Sequence, residues 1–204
     1  MASTVRKRLI QTVAGVLAGT VVLACLASAM SARKVVGDAM LWSIKAGDIV
    51  WIVPDRVRKA DIVLVDDPLD PGKRVLRRVV ATAGDKVRID DSGLRVNGKR
   101  IRQTEMGDRP GLRIRKEVIW SKPPARANPY FTQLTVPEVP WSSQGTVEVP
   151  EGHWYVLADN RDAAVDSRWW GPLPASAIHG VVRGRYGEVD TWRDSTWAVV
   201  LPEE

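Results

Sequence analysis

Cysteine is nearly absent from this chain: Cys25 is the one thiol in 204 residues. A disulfide framework and a thiolate metal site are thereby excluded, and the chain suits an oxidising exterior in which nothing can mispair. Histidine is limited to His153 and His179. No internal repeat and no long soluble helix can be read from the pattern, and the basic residues lack the interleaved aromatics of a nucleic-acid platform. The net charge is +6, but its excess is spread over Arg6 to Arg8, Arg33-Lys34, Lys73 to Arg78 and Arg113 to Lys116. That spread reads as a solvated surface leaning toward anionic lipid head groups, with no nucleic acid as partner. What is present is a globular composition, 45% apolar and 26% charged, sufficient for a core.

From Leu9 to Met30 runs an apolar stretch broken only by Gln11 and a few small hydroxyl side chains. As a helix it spans about 30 Å, the thickness of bilayer hydrocarbon. Arg6, Lys7 and Arg8 precede it and Arg33-Lys34 follow, a weak asymmetry, but a tail this short stays in the cytoplasm. The expected organisation is a cytoplasmic tail (1–8), a single transmembrane anchor in the lipid bilayer (9–30) and an extracytoplasmic domain (31–204). Two alternatives remain open at this point. Ala27-Ser28-Ala29 resembles a secretory cleavage site, and Val22-Leu23-Ala24-Cys25 loosely resembles a lipobox ending in a lipid-modified cysteine. The uncleaved anchor is preferred, because the apolar run exceeds the usual signal core and Leu23 suits a lipobox poorly.

Beyond residue 30 the pattern turns to short β-rich runs bounded by Gly, Pro or Asp: Asp48 to Val53, Asp61 to Val65, Val75 to Val80 and Lys86 to Ile89. Leu94 to Lys99 reads as a hairpin on Asn97-Gly98. The stretch from Gln103 to Gly145 is proline-rich and alternates poorly, which predicts an inserted lobe or long loop. Strands resume at Thr146 to Val149 and His153 to Leu157, and Ala177 to Val182 is expected to close the core. The fold class is mainly β.

Four separated segments carry a family pattern. They are Gly37-Asp38-Ala39-Met40-Leu41-Trp42-Ser43-Ile44 with Gly47-Asp48, Arg58-Lys59-Ala60-Asp61-Ile62-Val63, Arg77-Arg78-Val79-Val80-Ala81-Thr82-Ala83-Gly84-Asp85, and Pro150 through Asp162 continuing to Asp166-Ser167-Arg168-Trp169-Trp170-Gly171. In that order they resemble the signatures of type I signal peptidases, membrane-anchored serine proteases that remove signal peptides from exported proteins. The resemblance covers most of the chain. It implies a coiled β-sheet domain behind the single transmembrane helix, no cofactor, no metal, and a place in the bacterial cytoplasmic (inner) membrane with the N-terminus inside.

The same resemblance implies a damaged centre. The family's chemistry uses a serine hydroxyl deprotonated by a neutral lysine in an apolar pocket. Ala39 stands where the nucleophile would be, Arg77 where the lysine would be, and Ala164 where a serine would orient the lysine amine. A guanidinium stays protonated with a pKa above about 12, so Arg77 accepts no proton. Trp42 replaces the proline after the nucleophile, and Gly37 lies where some members place a hydroxyl that helps hold the oxyanion. His153 and His179 are not expected near Arg77, which sets aside the histidine-based branch of the family. The implied framework persists as two ion pairs, Arg78 with Asp159 and Asp166 with Arg168.

Binding needs no nucleophile. A peptide cleft is expected along the backbone from Asp38 to Trp42, including Met40, and from Thr82 to Asp85. Trp169 and Trp170 are read as core or interfacial anchors. The functional reading is a catalytically inactive, membrane-bound binding or assembly protein. Its expected partners are signal peptides or preproteins, an active signal peptidase, or another membrane complex. The enzymatic alternative is an active peptidase with a displaced pair, drawn from Ser43 or Ser31 and Lys34, Lys45 or Lys73.

Overall fold

The computed structural model describes residues 11, 12, 15, 19, 31–41, 43–90, 93–109, 112–120, 127–135, 144–162 and 164–187. The expected anchor, together with the 1–8 tail, the Ala27-Ser28-Ala29 site and Cys25, lies outside the described residues apart from those four isolated positions. Among the described residues no helix is long and apolar enough to cross a membrane.

The fold is mainly β. Seven strands form the principal sheet: β1 (Ser31–Lys34), β2 (Ile49–Val53), β3 (Ile62–Asp66), β4 (Arg74–Thr82), β12 (His153–Leu157), β13 (Leu173–Pro174) and β14 (Ile178–Tyr186). Their spatial order is β1-β2-β14-β3-β4-β12-β13, and neighbouring strands are antiparallel. The last long strand, β14, therefore inserts between β2 and β3 and closes the sheet. This insertion requires a glycine at 180, where the strand shifts register and φ is 154°; an added Cβ there would lie 2.7 Å from the Ile52 side chain and 2.9 Å from the Val53 carbonyl.

A second sheet has the order β11-β5-β6-β7, from β5 (Lys86–Asp90), β6 (Gly93–Val96), β7 (Lys99–Arg100) and β11 (Gln144–Glu148). Its tight turn is Asn97-Gly98, with φ of 53° and 76°, the left-handed pair that matches the twist of a two-residue hairpin. Between these elements, the stretch expected to be an inserted lobe or long loop contains three strands. β8 (Arg102–Arg109), β9 (Leu112–Trp120) and β10 (Ala127–Thr135) form a three-stranded antiparallel sheet. Proline at 129 is compatible with that ladder because β10 is an edge strand.

One apolar cluster joins all three sheets: Val80, Ala81, Tyr155 and Leu157 from the principal sheet, Val87, Ile89 and Leu94 from the second, and Ile119 from the lobe. Fully burying one such side chain contributes about 1.5–3 kcal/mol. A second cluster (Val63, Val65, Val79, Val156, Val181) packs against Val75 and Trp170, and a third (Met40, Ile44, Val50, Ile52) against Leu76. β4 is the strand common to all three. Its five residues from Arg77 to Ala81 are all buried, as befits a central strand covered on both faces.

Candidate functional site

Because side chains alternate along a strand, Arg77 and Arg78 leave β4 toward opposite faces. Arg78 meets Asp159, the first polar residue after β12. Its Nε lies 2.7 Å from Asp159 Oδ1 and its Nη2 2.5 Å from Oδ2, a bidentate fork with both partners buried. Nη1 donates to the Ala60 carbonyl at 2.7 Å, and Nη2 to Ser43 Oγ at 2.9 Å. The Ser43 hydroxyl in turn donates to Asp159 Oδ2. Ser43 is thus a buried structural hydroxyl shared by an ion pair.

Arg77, only 5% exposed, contacts no carboxylate among the described residues. Its Nε and Nη2 donate to the Val165 carbonyl at 3.1 and 2.7 Å, and its Nη1 to the Leu76 carbonyl at 2.6 Å. The guanidinium carbon lies 5.9 Å from the Trp170 ring centroid. Burial lowers its pKa, opposed by the more distant charges of Asp166 and Asp67. An arginine so placed still remains protonated.

The turn beyond β12 gathers the remaining positions. Asp166 caps α1 (Ser167–Trp170), accepting from the Arg168 backbone N–H at 3.1 Å, from Arg168 Nε at 2.7 Å and from the Ala158 N–H at 2.9 Å. Arg168 Nη2 also donates to the carbonyls of Arg161 and Ala164. Ala164 therefore sits between two anchored carbonyls, its own and that of Val165. Ala39 is tied to the same turn: Asn160 donates its backbone N–H to the Ala39 carbonyl at 3.0 Å and its side-chain amide to the Asp38 carbonyl at 3.1 Å.

Other expected site residues are distributed differently. Met40 is a core residue, 2% exposed, so its side chain does not line a cleft; it fills the apolar space beneath β2 beside Ile44. The Thr82 to Asp85 backbone is also committed internally. Thr82 pairs with Trp154 and donates its N–H to Asp85 Oδ2 at 2.8 Å, while Gly84 donates to the Val149 carbonyl. By contrast β12 pairs with β4 only from Arg78 to Thr82, so Arg74 to Arg77 have no strand on that side among the described residues. Asp38 is exposed, and Trp42 lies outside the described residues. His153 packs its Nδ1 against the Glu151 carbonyl and His179 pairs with Asp66 at 2.6 Å; neither touches Arg77. Lys34 is exposed on β1, and Lys73 pairs with Asp70 at 3.5 Å.

Two buried pairs escaped sequence reasoning. Arg161 Nη2 lies 2.6 Å from Glu117 Oε2, each side chain 1% exposed, and Gln103 donates to the other Glu117 oxygen. This pair joins the three-stranded lobe to the turn, across a separation that no local spacing reveals. Lys59 meets Asp85 at 2.7 Å, where Asn97 also donates. Burial alone would raise the Asp85 carboxyl, but Lys59, the Thr82 N–H and Asn97 outweigh it and hold it below its usual value.

A mainly β domain built around one doubly covered strand, with its charged turn clamped to that strand, has known counterparts. A family model described as "Signal peptidase, peptidase S26" matches residues 7–187, and the chain belongs to that family. Signal peptidase I of Rickettsia typhi (strain ATCC VR-144 / Wilmington) is 31% identical over 116 residues, covering 54% of this chain and 44% of that protein. Signal peptidase I of Rickettsia prowazekii (strain Madrid E) is 28% identical over 138 residues, covering 62% of this chain and 52% of that protein. The chain thus spans about half the length of the curated relatives it matches. A crystal structure of a signal peptidase I from Enterococcus faecalis V583 superposes with a TM-score of 0.39 at 21% identity, covering 63% of this chain and 97% of that one. Family membership does not rest on that superposition.

Proposed function

We propose that this chain is a signal peptidase-family protein that has given up Ser/Lys hydrolysis and acts at the bacterial cytoplasmic membrane by binding. In this reading residues 9–30 form a single-pass anchor, 1–8 stay in the cytoplasm and 31–204 form the extracytoplasmic domain, with 103–145 as its inserted lobe. Ala39, Arg77 and Ala164 take the places of nucleophile, base and base-orienting hydroxyl. The partner is a signal peptide or preprotein, an active signal peptidase, or another membrane complex.

The observation that carries the reading is the commitment of Arg77. A general base must be neutral before the reaction and within about 3 Å of the hydroxyl it activates. Arg77 is a cation held by two backbone carbonyls, and it faces away from Ser43, the buried hydroxyl on the other side of β4.

Incubating the purified full chain in detergent micelles with a preprotein tests this directly: no cleavage is expected. Cleavage that disappears in Ser43→Ala or Lys34→Ala would overturn the reading in favour of a displaced pair. The combined reversion Ala39→Ser, Arg77→Lys and Ala164→Ser is expected to yield cleavage where the parent has none.

A further inference from the structure

Among the described residues three arginines are almost wholly buried, and two of them, Arg78 and Arg161, have a carboxylate partner. Arg77 has none among the described residues. A buried charge is normally matched by a counter-charge, because desolvating it alone is costly. The nearby acids are already engaged: Asp166 by Arg168 and the Ala158 N–H, and Asp67 by the Leu69 N–H and Lys73. Lys73 lies between two carboxylates, Asp67 and Asp70, so the field of Asp67 reaches Arg77 from a distance, but no carboxylate contacts the Arg77 guanidinium among the described residues. A guanidinium carries five N–H donors, and the three hydrogen bonds of Arg77 all go to uncharged carbonyls.

A neighbouring donor does lack an acceptor. The indole Nε1 of Trp170, whose ring lies beside the Arg77 guanidinium, is buried without a hydrogen-bond partner. Buried donors in native structures are nearly always satisfied, so a buried cation without a direct carboxylate beside an N–H without an acceptor points to a missing acceptor of negative charge. Around them the chain offers small or open positions: Ala164 is half-buried and Val165 is 40% exposed. Beside them, β4 from Arg74 to Arg77 pairs with β3 on one side and, among the described residues, with no strand on the β12 side, the edge along which an extended peptide could add.

We propose that Arg77 and Trp170 form a carboxylate-binding site, and that its ligand is the free C-terminal carboxylate of an extended peptide lying along β4. The inference rests on the binding role proposed above and specifies it: the protein recognises a peptide that has already been cut. An uncut chain presents only a neutral carbonyl at this point. A terminal carboxylate presents two anionic oxygens, which match the planar fork of a guanidinium and give charge-assisted bonds. Loss of a reactive hydroxyl and amine thereby becomes a change of ligand, from scissile amide to cleaved end.

The test compares two peptides of identical sequence, the C-region of a signal peptide ending in either a free acid or a carboxamide. Binding to the full chain in detergent micelles is followed by fluorescence anisotropy, with sodium acetate as a third arm. The acid is expected to bind about 10-fold or more tighter than the amide. That preference should vanish in Arg77→Gln and shrink in Trp170→Phe, which keeps the ring but removes the N–H. Equal affinity for acid and amide overturns the proposal while leaving peptide binding intact, and so does a preference that survives Arg77→Gln. Acetate that displaces the peptide acid at equal concentration overturns the peptide assignment in favour of a small-anion site. Failure of both peptides to bind overturns this inference together with the peptide-binding form of the proposed function. Should Arg77→Gln fail to fold, the acid–amide ratio of the parent and of Trp170→Phe still decides.

Discussion

On one face of β4, Arg78 is gripped by both oxygens of a carboxylate; on the other face, one residue earlier, Arg77 lies among carbonyls and an indole. Both are buried arginines on the same strand, yet only one has a counter-charge. The Arg78 face is a closed account of charges, in which Asp159, Ser43 and the Ala60 carbonyl take up what the guanidinium offers. Such a face holds the turn to the sheet and has nothing left over for a ligand. The Arg77 face has donors left over. The contrast separates what this family member keeps for folding from what it presents to something else.

The sharpest way to break the contrast is to remove one partner on the closed face. Asp159→Ala leaves a buried guanidinium without its carboxylate and is expected to cost about 3–5 kcal/mol in denaturant unfolding. The corresponding Glu117→Ala strands Arg161 and is expected to cost about 3 kcal/mol, with faster amide hydrogen exchange in β8 and β9 as the added sign that the lobe has come loose. On the open face the expectation reverses. Arg77→Met removes a charge that no carboxylate contacts among the described residues and keeps an apolar stem against Trp170, so stability should change by about 1 kcal/mol or less in either direction. Equal losses for Arg77→Met and Arg78→Met would erase the distinction between the faces.

The smallest effect concerns pH. Asp85 is depressed in the folded state, so its contribution is present above the unfolded carboxyl value, about 4, and is lost as pH falls through the lower folded value. Thermal melting between about pH 5 and pH 2 should show a shallower acid decline for Asp85→Asn than for the parent protein.

Much of the strand pattern was legible because alternating or continuous β-branched runs were bounded by turn residues. β2, β3, β5 and β12 fall within a residue of their expected bounds, and Asn97-Gly98 forms the expected hairpin. The strands within the 103–145 stretch, read as an inserted lobe or long loop, were not legible because proline and weak alternation were weighed as breakers, whereas Pro129 lies on β10, an edge strand of its sheet. At the site, the turn residues were visible as a motif, and the structure brings Arg78 to Asp159 and Arg168 to Asp166. The cleft was less visible. Sequence does not tell that Met40 points into the core or that the Thr82 to Asp85 backbone bonds to itself, because both depend on which strand lies alongside. Nor could the Arg161–Glu117 pair be read, since it joins segments with no periodic relation.

The Arg161–Glu117 pair also shapes how the domain assembles. Neither charge can enter the interior by itself without a large penalty, so the lobe and the turn are each poorly buried until the other arrives. Seating of the three-stranded sheet and closing of the turn are therefore coupled, each shielding the charge that the other would otherwise leave buried and unpaired.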